Sequence, residues 1–147
     1  MSEHRATVEW KRSGEFRYET YSRCHLLRFE DIAVPGSAAP ANIPASALGG
    51  PGVDPEQAFV ASLSACHMLW FLHLACQKKW VVERYVDEAV GVLDKTWISR
   101  VTLRPAVSFS GTVPGEEEYK ALHHRAHEKC FIANSVKTAV IVEPCLK

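Results

Sequence analysis

The chain has 147 residues, 47% apolar and 10% aromatic, with 17 basic side chains against 17 acidic ones and a formal charge of zero. Such a length and apolar share describe one globular domain over 1–147 and exclude a disordered chain. Balanced charge, with no basic stripe and no polybasic tail, argues against nucleic acid and anionic membrane as partners.

The first residues, MSEHRATVEW, contain no apolar signal-peptide core. From there ATVEWKR, a turn at Ser13-Gly14 and EFRYETYSRCHLLRF alternate as antiparallel strands do. Residues 35–53 are rich in Pro, Gly, Ala and Ser and read as one long loop, of the kind that carries function or moves. A long helix then starts at Asp54. Asp54 suits the N-cap, Pro55 the first helical position, and Gln57 completes a capping box. Lys78 and Lys79 complement the dipole at its far end.

Between Ala58 and Cys76 this helix has no Asp, Glu, Lys or Arg. That is close to membrane-spanning length. Two His, two Ser and the alternating strands around it favour a core helix, apolar all round and buried on every side. One small domain rarely surrounds such a helix, so a homodimer is expected on burial grounds.

Next, VVERYVDEAVGVLDKTW and ISRVTLRPAVSFSG read as a strand pair. Pro114-Gly115-Glu116-Glu117-Glu118 opens a second helix, with acids in its first turn and His, Arg and Lys in its last. Tyr119, Leu122 and Ala126 form its core stripe. VKTAVIVEP is the final strand. The order β-β-α-β-β-α-β defines an α+β domain with mostly antiparallel sheets around a long central helix.

The candidate chemistry lies in thiols. Five cysteines, an odd number without a C-x-x-C, point away from a secreted disulfide scaffold and toward a reducing, cytoplasmic compartment. Cys66 lies in the long helix and Cys130 just after the charged one. A buried thiol and a second thiol on a separate element suggest a redox pair, though each alone reads as a packing residue. A reactive Cys66 would need a cation beside it. Cys76 reads as packing, Cys145 as incidental, and Cys24, beside Arg23, as either. His123, His127 and Cys130 fall on one helical face, a spacing zinc can use, but HHRAHEK is also an ordinary solvated last turn, so no metal is expected. His67 and His73 read as hydrogen-bonded core histidines.

The block VDPEQAFVASLSACHMLWFL, followed further on by HEKCFIANSVK, resembles the OsmC/Ohr family of thiol peroxidases. That family shows a Pro-Glu helix start, a cysteine ten residues after the Glu and a second cysteine ahead of the last strand. YSRCH and ISRVTLRPAVSFSG look like a less-characterised branch of it. The resemblance implies an OsmC-like fold, an intertwined homodimer with shared active sites, and no cofactor. Cys66 would attack the O–O bond of an organic, lipid-like hydroperoxide and become a sulfenic acid. Cys130 would close a disulfide with it, and a dithiol reductant, lipoyl-type in this family, would reopen the bond. Glu56 and an arginine would complete the site. Arg23 is the first choice, Arg28 the second and Arg12 the third.

Helix geometry adds a constraint. Ten residues separate Glu56 from Cys66 by roughly 15 Å along the axis and about 80° around it. If both serve one site, they come from different subunits. Phe59, Leu63, Met68, Trp70, Phe71 and Phe131 are candidates for an apolar pocket. The competing readings are a non-catalytic homodimer that binds a hydrophobic ligand and a redox sensor.

Overall fold

The reciprocal cap predicted at residue 54 forms in the computed structural model, which describes residues 1–146. Gln57 N–H donates to Asp54 Oδ1 at 2.7 Å, and Asp54 N–H to Gln57 Oε1 at 3.1 Å. Helix α1 follows from Pro55 to Gln77. It ends where Lys79 takes a left-handed φ of 61° and the Trp80 N–H closes back on the Ala75 carbonyl. The chain divides into two compact units, Met1–Ala58 and Phe59–Lys147.

The first unit is an antiparallel three-stranded sheet, β1 (Thr7–Glu9), β2 (His25–Phe29) and β3 (Ile32–Gly36), in that order. Two expectations are corrected here. Only the HLLRF end of EFRYETYSRCHLLRF is strand, because residues 16–24 fold into turns around Arg23. The 35–53 segment is not a free loop. Its start belongs to β3, and Pro40–Asn42 and Ala45–Ala47 are 3-10 turns. Backbone hydrogen bonds tie it down at Arg23 N to Ala47 O and at Ser37 N to Val53 O. Gly52 allows this second junction, since a Cβ there would meet the Gly36 carbonyl carbon at 2.5 Å.

The second unit splits the expected strand pair into four: β4 (Val81–Asp87), β5 (Val90–Asp94), β6 (Trp97–Leu103) and β7 (Pro105–Ser110). Each expected strand hides a break, at Glu88-Ala89, at Lys95-Thr96 and at Arg104. Helix α2 covers Glu116–Lys129, and β8 (Ala139–Val142) and β9 (Cys145–Leu146) complete two sheets, β4-β7-β9 and β5-β6-β8. The β4–β7 and β5–β6 pairs are antiparallel, while β8 and β9 join in parallel. The α+β class holds, with a parallel component the strand count concealed.

Tyr119, Leu122 and Ala126 of α2 are buried as their stripe predicts, packed with Phe71, Leu74 and Ala75 of α1. Complete burial of a side chain such as Phe71 is worth about 2–3 kcal/mol. A second cluster joins Leu63 to Val101 and Leu103. Within the single chain, helix α1 is buried on one side only. Its 18-residue window has the hydropathy of a membrane span, yet only 28% of it is buried. Leu63, His67, Phe71, Leu74 and Ala75 face the core, while Ala65, Leu69 and His73 remain exposed. His73 is therefore no core histidine, and Cys76 is exposed instead of packed.

Candidate active site

In the second unit α1 and the end of α2 bring Cys66 and Cys130 together. Both are free thiols, Cys130 buried and Cys66 half-buried. Burial pushes the Cys130 thiol up to about 11. The Ala133 N–H, donating to Sγ at 3.4 Å, opposes this, and the adjoining Cys66 side chain adds to it. Cys66 opens onto a cavity of about 520 Å³ lined by Ser62, Ala65, Leu69, Trp70, His73, Phe131 and Ile132. Two of the six expected apolar residues, Trp70 and Phe131, line it, their rings edge-to-face at 5.4 Å. Leu63 and Phe71 belong to the core, Phe59 packs against it, and Met68 is not among the lining residues. Ser62 and His73 were not foreseen.

In the first unit Arg23 and Glu56 line a different cavity, of about 510 Å³. Arg23 is 9% exposed. Its Nη1 donates to the carbonyls of Tyr18 at 2.9 Å and Tyr21 at 2.7 Å, and the guanidinium lies 3.5 Å from the centre of the Tyr21 ring. Glu56 Oε2 is buried without a hydrogen-bond partner. Arg28 is instead a surface cation 3.2 Å from Glu9, and Arg12 caps the Gly14 carbonyl. Of the three candidate arginines only Arg23 reaches the cavity. Cys66 is not among the residues lining it.

Sequence reasoning missed the aromatic wall of this cavity. Trp10, Phe16 and Tyr21 cluster with ring centroids 4.8 to 6.0 Å apart. It missed His25 as well, although residues 23 and 25 share a face of any extended segment.

The histidines of α2 do not gather round Cys130. His123 turns into the core, where its Nδ1 lies 2.9 Å from His67 Nε2 and the rings are parallel within 5°. Among the described residues no group of three or more His, Cys, Asp or Glu is placed to hold a metal ion. Burial lowers both histidines, to about 4 for His67 and about 3 for His123. Cys24 sits in the first unit, its Sγ 3.5 Å from the Leu48 carbonyl.

An α+β chain carrying one thiol on a helix and a second at the end of another defines a class of cysteine-bearing proteins, and the comparisons resolve which one. The family described as OsmC-like protein matches residues 48–144. An OsmC-like protein of unknown function from Vibrio cholerae is 45% identical, covering 99% of this chain and 100% of its own, with a TM-score of 0.93. The organic hydroperoxide resistance protein OhrB of Bacillus subtilis shares the fold at 20% identity and a TM-score of 0.66, covering 99% of this chain and 98% of its own. One from Legionella pneumophila does so at 21% and 0.64, covering 99% and 97%. No curated protein matches the sequence. The chain belongs to the OsmC-like family. The Arg23 segment lies outside the matched region.

Proposed function

We propose that this protein is a cysteine-based thiol peroxidase that reduces organic hydroperoxides. The observation that carries the reading is the adjacency of Cys66 and Cys130. The Cys66 thiolate attacks the terminal oxygen of R–O–O–H. The S–O bond forms, the O–O bond breaks, and the alkoxide leaves to take a proton from solvent. Sulfur loses two electrons and becomes a sulfenic acid. Cys130 displaces water from it, giving a disulfide that a dithiol, of lipoyl type in our reading, reduces. The apolar lining around Cys66 favours alkyl or lipid hydroperoxides over hydrogen peroxide, which gains nothing from buried carbon. The cycle needs a reducing compartment, and we place it in the cytoplasm.

The working unit in this reading is a homodimer. Arg23 and Glu56 of one subunit serve Cys66 of the other, in keeping with the helical spacing of Glu56 and Cys66 and with the exposed apolar side chains Leu69 and Phe131. Arg23 sets its cation beside the Cys66 thiolate and Glu56 orients the arginine.

The reading is tested by incubating the reduced protein with tert-butyl hydroperoxide and dihydrolipoamide. Peroxide should be consumed, two thiols per subunit should disappear in the absence of reductant, and Cys66→Ser should abolish both. Unchanged consumption by Cys66→Ser would sink the proposal. The apolar character of the Cys66 cavity also suits a hydrophobic-ligand carrier, and that alternative predicts ligand binding with no loss of thiols.

A further inference from the structure

The Arg23–Glu56 cavity holds an imidazole that the peroxidase chemistry above leaves idle. His25, the first residue of β2, lines it beside both. Its Nδ1 lies 2.8 Å from the Arg23 carbonyl oxygen. A carbonyl only accepts, so Nδ1 carries the hydrogen and donates it. This fixes the tautomer and leaves Nε2 as the lone-pair nitrogen of the neutral ring. Among the described residues Nε2 has no hydrogen-bond partner, and it is not one of the buried unpartnered atoms, so it is an accessible atom of a cavity-lining residue.

The ring's position is built by a second residue. Gly36 stands opposite His25 in the β2–β3 pairing. A Cβ at 36 would fall 2.3 Å from His25 Nε2 and 2.6 Å from Cδ2. The backbone at 36 needs no glycine for its conformation, since its φ is not in the left-handed region. What the glycine supplies is room for the imidazole to lie across it.

We infer that His25 is the substrate-positioning acceptor of the site, its Nε2 receiving the O–H of the hydroperoxide while Arg23 faces the oxygens. A hydroperoxide differs from a dialkyl peroxide or a disulfide in having an O–H hydrogen to donate. Holding it turns the terminal oxygen, the one that Cys66 attacks, into a fixed position. When the S–O bond forms and the O–O bond breaks, the same hydrogen remains on the same oxygen, now in the sulfenic acid, and no proton passes through the ring. This inference rests on the peroxidase reading with its site shared between subunits, and adds a residue to it.

The test compares two oxidants of Cys66 in the reduced, full-length protein: tert-butyl hydroperoxide, which has an O–H, and dipyridyl disulfide, which has none. His25→Phe keeps an aromatic ring and removes both nitrogens. Gly36→Ala keeps the imidazole and displaces it. Each should slow oxidation by the hydroperoxide about 10- to 100-fold and leave the disulfide reaction within about twofold of wild type. No loss with the hydroperoxide, or an equal loss with both oxidants, would overturn the role of His25. Wild-type protein that reacts with the disulfide but not with the hydroperoxide would instead overturn the peroxidase reading itself, and this inference with it.

Discussion

Cys130 is buried, and its thiol holds its proton to about 11. A resolving cysteine in that state is slow until pH or a neighbour removes the proton, because the thiolate is the attacking species. Disulfide closure after a single turnover should therefore accelerate about tenfold per pH unit between roughly pH 7 and 9. Stopped-flow fluorescence of Trp70, which shares the cavity with Cys66, can follow it. A flat profile would argue that some other thiol resolves Cys66. Cys130→Ser should leave the first oxidation intact and let a sulfenic acid accumulate, trapped by dimedone. At this scale the sequence was readable where a spacing constrained it, as with Cys66 and Glu56. It was unreadable where chain reversal sets proximity. Nothing in HHRAHEKC says that His123 turns inward to His67.

Between elements, α1 and α2 are joined by that histidine pair. One imidazole donates and the other accepts, and His67 Nδ1 and His123 Nε2 are left buried without partners. Protonating either ring would put a charge in an apolar core. Both folded pKa values lie below the unfolded value of 6.5, at about 4 and about 3. The unfolded chain thus binds protons first, and the pair's contribution, complete above roughly pH 6.5, is lost as pH falls. Two such groups give a slope of roughly 2–3 kcal/mol per pH unit between about pH 6 and 4. Urea melts across that range should show it, and His123→Phe should flatten it by about half. A wild-type stability independent of pH over this interval would refute the argument. The elements themselves were partly legible. Local chemistry announced α1 and α2: a capping pair at 54 and 57, three acids at 116–118. The strands of the second unit were not separable, because apolar alternation continues through their turns. There a single residue such as Lys95, at a φ of 57°, reverses the chain without glycine or proline to mark it. The sheet partners of β8 and β9 are long-range choices that no local pattern encodes.

For the whole molecule, the exposed side of α1 is the feature that asks for a partner. Leu69 is 62% exposed and Phe131 68%, both on the wall of the Cys66 cavity. Leu69→Glu should convert a dimer sedimenting at twice the chain mass into a monomer. It should lower peroxide turnover at least tenfold while Cys66 still reacts with dipyridyl disulfide, because a shared site loses Arg23, Glu56 and His25 together. A wild-type monomer with full turnover would end the shared-site reading. The charge-free stretch from Ala58 to Cys76 also has a consequence during biosynthesis. When it leaves the ribosome, α2, which supplies much of its packing, has not been made, and four strands must be synthesised first. Through that interval the nascent chain displays a segment that the membrane-insertion machinery could accept as its own. Packing of its core face against residues of β4, β6 and β7 is then the first cover that the segment receives.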